Sequence, residues 1–337
     1  IHFALTSEDI NSMAYGLMLT EVKEHNILTN LEDLLTVINR LAKDNADLPM
    51  LARTHGQPAS PTTFGKEFKV FAVRLERQVA QLKAHKFLVK LGGATGNFNA
   101  HVVAYPKIDW EKFAKDFAKS LNLEINPYTT QIESHDTLAE FFDIMRRINT
   151  ILIGFDQDMW RYISDGWLGQ KAKEGEVGSS TMPHKINPIK FENSEGNLGI
   201  ANALFTHFSQ KLPISRLQRD LSDSTVQRSI GTAIAHSIIA YKYTVEGLKR
   251  VAVNSEKVTE ALLAHPEVLA EAIQTILRRE GVAMPYEQLK ALTRGKEIIM
   301  ADLTKFIDGL DISASIKTEL KKLTPQNYIG LAKKLAS

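Results

Sequence analysis

Ile230-Gly231-Thr232-Ala233-Ile234-Ala235-His236-Ser237-Ile238-Ile239-Ala240-Tyr241 is apolar around almost its whole circumference when wound as a helix. A helix of that kind keeps no face for water and belongs inside a bundle. It is the centre of a pattern that runs from about 217 to 252 without a proline.

The neighbouring stretches read the same way. Residues 188–211, 136–164 and 63–88 are long helical patterns, the last with Phe68, Phe71, Leu75, Val79 and Leu82 on one side. Thr6-Ser7-Glu8-Asp9 offers a hydroxyl cap followed by acids, a helix start. From there to Ala46 no proline intervenes, and Ile27, Leu28, Leu31, Leu34, Leu35, Ile38 and Leu41 recur at three- and four-residue steps, predicting one very long helix or two nearly collinear ones. A shorter helix is expected at 110–121. The polar connectors are 53–57, bracketed by Pro49, Pro58 and Pro61, the glycine-bearing 91–106, and 126–131. Beyond about Asn254 the helices shorten and lysines become frequent. The expected fold is all-α: a long antiparallel helical bundle over residues 1–252, without strands, and a smaller C-terminal helical domain at 253–337. In such a bundle chemistry collects where the connectors meet. Helices of this length leave apolar faces that one copy does not cover, which predicts an oligomer.

Composition narrows the function. The 337 residues carry 41 Lys and Arg against 39 Asp and Glu, a net charge of +2, so there is no case for a nucleic-acid or membrane-surface partner. The absence of cysteine excludes disulfides, thiolate ligands and cysteine nucleophiles, and suits a reducing cytoplasm. No His-Glu-x-x-His or similar spacing suggests a metal site, and no cofactor is expected. No apolar run reaches the length of a membrane span.

Between the helices at 136–164 and 188–211 lies Gly178-Ser179-Ser180-Thr181-Met182-Pro183-His184-Lys185-Ile186-Asn187-Pro188, within a glycine-punctuated loop at 166–188. It concentrates hydroxyls, an imidazole, an ammonium and an amide. Asn187 reads as the cap and Pro188 as the first residue of the following helix. That helix turns its positive end and free N–H groups toward the loop, favouring a bound carboxylate or phosphate. Gly178 to Lys185 lacks the spacing and the preceding strand of a phosphate-binding loop of nucleotide hydrolases.

This stretch resembles the signature loop of the fumarase/aspartase superfamily, whose members eliminate fumarate or a similar product across a carbon–nitrogen or carbon–oxygen bond. The His184-Lys185 pair departs from fumarases and aspartases, which carry a small residue before the lysine. It is similar to the branches that act on succinylated purine nucleotides and on carboxymuconate. Arg53-Thr54-His55-Gly56-Gln57-Pro58, the run 126–132, Phe191-Glu192-Asn193-Ser194-Glu195-Gly196-Asn197 and the run 215–225 resemble the bacterial purine branch. The resemblance spans His2 to about Ala336. The chain begins at Ile1, and the family's N-terminal domain is expected to be absent from it. Another superfamily lyase or cycloisomerase, or a catalytically silent helical scaffold, are the competing readings.

The resemblance implies elimination of fumarate from adenylosuccinate to leave AMP, and from the succinyl-carboxamide ribotide of purine biosynthesis. It also implies a homotetramer with active sites shared among three subunits. Ser179 is then the base at carbon. A serine hydroxyl is a poor base in water and serves only where water is excluded and Lys185 and the helix N-terminus shield the oxyanion. His55 is the general acid, since histidine holds and releases a proton near neutrality; His135 is the competing acid, and His184 positions the loop. Thr54 orients substrate, Thr6 and Ser7 contact it, and Gln131 lies near its succinyl group. Ser180, Lys185, Asn187 and Asn193 line the loop and the helix behind it. Arg219, Ser224 and Arg228 form the phosphate-side cluster. The two arginines are nine residues apart, on opposite faces of an unbroken helix. Only a break near 220–223, or recruitment by different subunits, brings both to one phosphate.

Overall fold

The computed structural model describes residues 2–171, 182, 186–293 and 298–337. In chain order, helix α1 spans Ser7–Val22, passes through a π-helical turn at Lys23–Leu28, and continues as α2, Thr29–Asp44. The expected long N-terminal helix is therefore continuous, with one wider turn inside it. Thr6 N–H donates to Asp9 Oδ2 at 2.8 Å and closes its start.

The connector expected at 53–57 is a β-hairpin instead. Strands β1 (Pro49–Thr54) and β2 (Gln57–Thr63) pair antiparallel, with Thr54 opposite Gln57. The two-residue loop, His55 and Gly56, takes positive φ at both positions (54° and 75°), the handedness that matches the strand twist. Prolines 49, 58 and 61 argue against a central strand, but in a two-stranded ribbon each strand has an outer edge where a missing N–H costs nothing.

Helix α3 follows at Phe64–Ala84, then strand β3 (Leu88–Val89), short helix α4 (Asn99–Ala104), α5 (Trp110–Ser120) and strand β4 (Glu124–Ile125), parallel to β3. Helix α6 occupies Asp136–Ser164, as expected from the pattern, and β5 Leu168–Gln170. Helix α7 is Ile189–Lys211, one residue later than Asn187-Pro188 suggests, with Pro188 in the capping position. The helix expected from 217 to 252 is broken: α8 is Ser222–Gln227 and α9 Ile230–Arg250, followed by strand β6, Val251–Val253, antiparallel to β5. Asp220 explains the late start. It accepts from the N–H groups of Arg216 (3.0 Å) and Ser222 (2.8 Å), closing a turn that competes with helix, while Leu217 lies at φ 53°. Short helices α10 to α15 complete the chain: Ser255–Leu263, Ala270–Arg279, Pro285–Thr293, Met300–Asp308, Ala314–Lys321 and Ala332–Leu335. The fold is thus mostly helical, and the all-α expectation is corrected by three two-stranded sheets among the described residues. Among the described residues no helix is long and apolar enough to cross a membrane.

The chain divides into two compact units. The first takes residues 1–36, 73–160 and 177–249. Phe141, Phe142, Phe155, Phe191, Phe205, Phe208 and Tyr241 are among its fully buried side chains. Helices α7 and α9 approach so closely at Gly247 that a β-carbon there would lie 2.8 to 3.1 Å from the Phe191 ring. A polar ladder runs through this core. Asn149 Nδ2 donates to Ser237 Oγ (2.9 Å), and seven residues on along both helices Thr244 Oγ1 donates to Asp156 Oδ1 (3.0 Å). The equal offsets mean that α6 and α9 run in the same direction. Tyr241 OH donates to Asn149 Oδ1 (2.7 Å), and Ser194 joins Thr244 (2.8 Å).

The second unit takes residues 37–72, 161–176 and 250–337. Leu269, Ile273, Leu277, Leu303, Ile307 and Leu320 form its C-terminal apolar cluster. Tyr162 OH donates to Glu67 Oε2 at 2.9 Å, and Glu271 accepts from Ser60 and from Tyr328 OH.

Candidate active site

The face of α1 that carries Glu8, Ser12 and Tyr15, spaced by four and three residues, is the platform in the first unit. A buried ion pair fixes the loop beside it. Lys90 Nζ lies 2.7 Å from Asp9 Oδ1, both side chains fully buried, and Asp9 also accepts from Gly92 N–H (2.9 Å). Lys90 Nζ donates again to Gly93 O (2.6 Å), and Lys90 N–H to Ser12 Oγ (2.8 Å). A buried pair satisfied on both sides costs little and fixes the geometry.

Two further segments converge on this face. In residues 126–135, Asn126 Nδ2 donates to Glu133 Oε1 (2.9 Å) and His135 N–H to Glu133 Oε2 (2.7 Å). His135 has φ 62°, so the chain turns sharply at the ring. The second segment is 215–228. Gln131 N–H donates to Gln218 O (3.3 Å), and His135 Nε2 lies 3.5 Å from Asp223 Oδ2 and 3.2 Å from Gln227 Nε2. Arg219 meets α1 directly, its guanidinium 2.9 Å from the buried Glu8 Oε1. A narrow pocket between these segments is lined by Glu8, Ser12, Tyr15, Glu133, His135 and Gln227.

The electrostatics follow from burial and partners. Burial raises the Asp223 carboxyl, but hydrogen bonds from His135 and the Ser224 N–H and the Arg219 charge outweigh it and hold the group below its ordinary value. Tyr15 is raised, first by burial, then by Glu8; the nearby Arg228 charge works the other way. Asp220 is pulled down to about 2 by the Ser222 hydroxyl and N–H. The site therefore holds ionised carboxylates against two arginines, an arrangement able to grip a phosphate or carboxylate and relay a proton through His135.

The break in the predicted helix is what brings the arginines together. Arg219 precedes α8 and pairs with Glu8, while Arg228 follows α8 close enough to act on Tyr15, two turns along the same face of α1. Of the candidates from sequence, Thr6, Ser7, Gln131, Arg219, Ser224 and Arg228 all lie on the three converging segments. Asn187 precedes α7, and Asn193 is exposed in its second turn, its carbonyl accepting from Asn197 Nδ2 (2.7 Å). Thr54 and His55 are exposed at the hairpin of the second unit. Ser179, Ser180 and Lys185, with His184, lie outside the described residues. Glu8, Tyr15, Glu133, Asp223 and Gln227 escaped the sequence reading. Glu8 reads as an ordinary first-turn acid, and Asp223 as part of a polar run; only the Glu133-x-His135 spacing carried a signal.

Comparison with known proteins places this arrangement. A crystal structure of a fumarate lyase from Mesorhizobium sp. BNC1 superposes with a TM-score of 0.80 at 20% identity, covering 99% of this chain and 76% of that one. The 3-carboxy-cis,cis-muconate lactonizing enzyme from Pseudomonas putida does so with 0.81 at 20%, covering 99% and 75%. At that identity they establish the fold, and the family model described as Lyase matches residues 1–202. The class is therefore the lyases of this fold. A second model, Adenylosuccinate lyase C-terminal, matches residues 215–329. The adenylosuccinate lyase of Vibrio cholerae is 54% identical over 333 residues, 98% of this chain and 73% of its own length. Those of Haemophilus influenzae and Escherichia coli K12 are 53% and 52% identical over 99% and 98% of the chain. The chain belongs to the adenylosuccinate lyase family, and its reaction class is carbon–nitrogen lyase. The similarity takes in 98% of this chain and 73% of the Vibrio cholerae enzyme, and it does not bear out the expectation of an absent N-terminal domain.

Proposed function

We propose that the chain eliminates fumarate from adenylosuccinate, releasing AMP, and acts likewise on the succinyl-carboxamide ribotide, in the cytoplasm and as a homotetramer with sites shared among subunits. The observation that carries this is the 54% identity to the Vibrio cholerae adenylosuccinate lyase over 98% of the chain. In the proposed mechanism Ser179 removes the carbon-bound proton beside a succinyl carboxylate, leaving an enolate-like dianion. Its charge is shared by Lys185, Ser180 and the N-terminus of α7. The carbon–nitrogen electron pair then leaves with the purine N6, which takes a proton from His55. Gln131 lies near the succinyl part, Thr54 orients the substrate, Thr6 and Ser7 contact it, and Asn187 and Asn193 line the loop and the helix behind it. Arg219, Ser224 and Arg228 take the phosphate, which the approach of the two arginines to one face of α1 supports. His55 stands exposed at a hairpin tip in the single chain, consistent with a site completed by a second copy. The proposed architecture is a long-helix bundle over 1–252 with a smaller helical domain at 253–337.

The test follows fumarate release and adenylosuccinate absorbance on the chain, on Ser179→Ala and on His55→Gln. Each variant is expected to lose about a thousandfold in kcat with its fold intact. Equal rates in Ser179→Ala and the parent reject the base. Turnover of argininosuccinate or carboxymuconate in preference to adenylosuccinate rejects the substrate.

A further inference from the structure

A second concavity in the first unit lies where the middle of the long N-terminal helix, the end of α3 and α5 come together. Its volume is about 640 Å³, within the range of small-molecule sites, and its wall carries five lysines: Lys23, Lys83, Lys86, Lys115 and Lys119. Two of them are already engaged. Lys23 is buried in the π-helical turn, its Nζ 3.0 Å from Glu24 and donating to His85 O (2.8 Å), and Lys83 pairs with Glu32 at 2.6 Å. Lys86, Lys115 and Lys119 make no side-chain hydrogen bond or ion pair among the described residues. The last two are four apart on α5, a spacing at which like charges on a helix repel. On the same helix Lys112 has Asp116 as its partner. The wall also carries Glu24, which pairs with Lys23, and Glu124, so the three lysines without a partner outnumber the one remaining acid and leave a net positive field there.

His85 also lines this cavity. The ring is buried, at 8% exposure, and its Nε2 lies 2.8 Å from Thr137 O, an atom that only accepts. Nε2 therefore carries the ring proton, and Nδ1 is left as an acceptor, with no partner and no access to solvent in the empty chain. Burial lowers the affinity of the ring for a second proton. An occupant suited to this wall brings anionic oxygens for the lysines.

We infer that this cavity is a binding site for a small phosphorylated sugar or nucleotide, held through its phosphates by Lys86, Lys115 and Lys119 and distinct from the candidate active site. Lysine serves phosphate well as a mobile point charge with three donors.

The probe is fructose 1,6-bisphosphate, titrated calorimetrically into the chain at 150 mM salt, alongside citrate and against Lys115→Glu/Lys119→Glu. Both lysines are exposed, so the variant is expected to fold and to keep its rate of fumarate release. The expected result is at least about a tenfold loss of bisphosphate affinity in the double variant, with binding weakened further by added salt. Equal affinity in the two proteins, or no binding to either, overturns the site. Citrate binding as tightly as the bisphosphate overturns the phosphate class.

Discussion

Asp156 sits in the core of the first unit with one carboxylate oxygen bonded to Thr244 and the other without a partner. Burial drives its carboxyl well above the ordinary value of 3.8, against the pull of the Ser194 and Thr244 hydroxyls. In the unfolded chain the group ionises at that ordinary value. Between the two values the native state holds the extra proton, so stability falls as pH rises through the window and levels off above the folded value. Asp156→Asn removes this slope. Urea melts are expected to show the variant about 1 kcal/mol or more firmer than the parent at pH 8 and near parity at pH 4; parallel pH profiles would count against a neutral buried acid. Arg219 makes the opposite kind of prediction, since its guanidinium is held by Glu8 where the phosphate is proposed to bind. Arg219→Ala is expected to raise KM for adenylosuccinate about tenfold or more with a smaller change in kcat, a loss of uniform binding read from initial rates.

At the level of elements, the α7–α9 contact invites a one-atom test. Alanine at Gly247 gains helix propensity of roughly 1 kcal/mol but drives a β-carbon into the buried Phe191 ring. The ring, 1% exposed, has nowhere to go, so a net loss of about 1 to 2 kcal/mol is expected in thermal melts. The long helices were readable in the sequence because their apolar periodicity is sustained over many turns: α6 falls where the pattern from Asp136 to Ser164 predicts. The hairpin around His55 was not, because its prolines mimic a connector and only strand pairing across the turn reveals the ribbon. The gap ahead of α8 was legible only as one of two ways to bring both arginines to one phosphate, because Asp220 captures backbone N–H groups that an apolar pattern counts as helical. That gap is what allows Arg219 and Arg228 to share a face of α1, so the part of the site least legible in sequence is the part built by a local departure from regular structure. Ser179 and His55 were legible only as members of quoted motifs; nothing in their immediate spacing distinguishes them from a loop serine and a turn histidine.

For the whole molecule, the proposed sharing of sites between copies makes a prediction that no single-chain property can imitate. His55→Gln and Ser179→Ala, each inactive alone, are expected to regain partial activity when unfolded together and reassembled, because some sites then combine the intact serine of one copy with the intact histidine of another. Sedimentation should give a tetramer for both variants; a tetramer that stays inactive after mixing would mean that each copy supplies its own pair. A last consequence belongs to the two polar rungs joining α6 and α9 at Asn149–Ser237 and Asp156–Thr244. Sliding one helix past the other by a single turn breaks both rungs at once and leaves Asp156 without its hydroxyl partner, whereas a shift of seven residues still faces Asn149 with a hydroxyl, that of Thr244. The rungs therefore work as a two-toothed ratchet, which tolerates insertions outside the interval they bracket and rejects a single added or deleted residue within it.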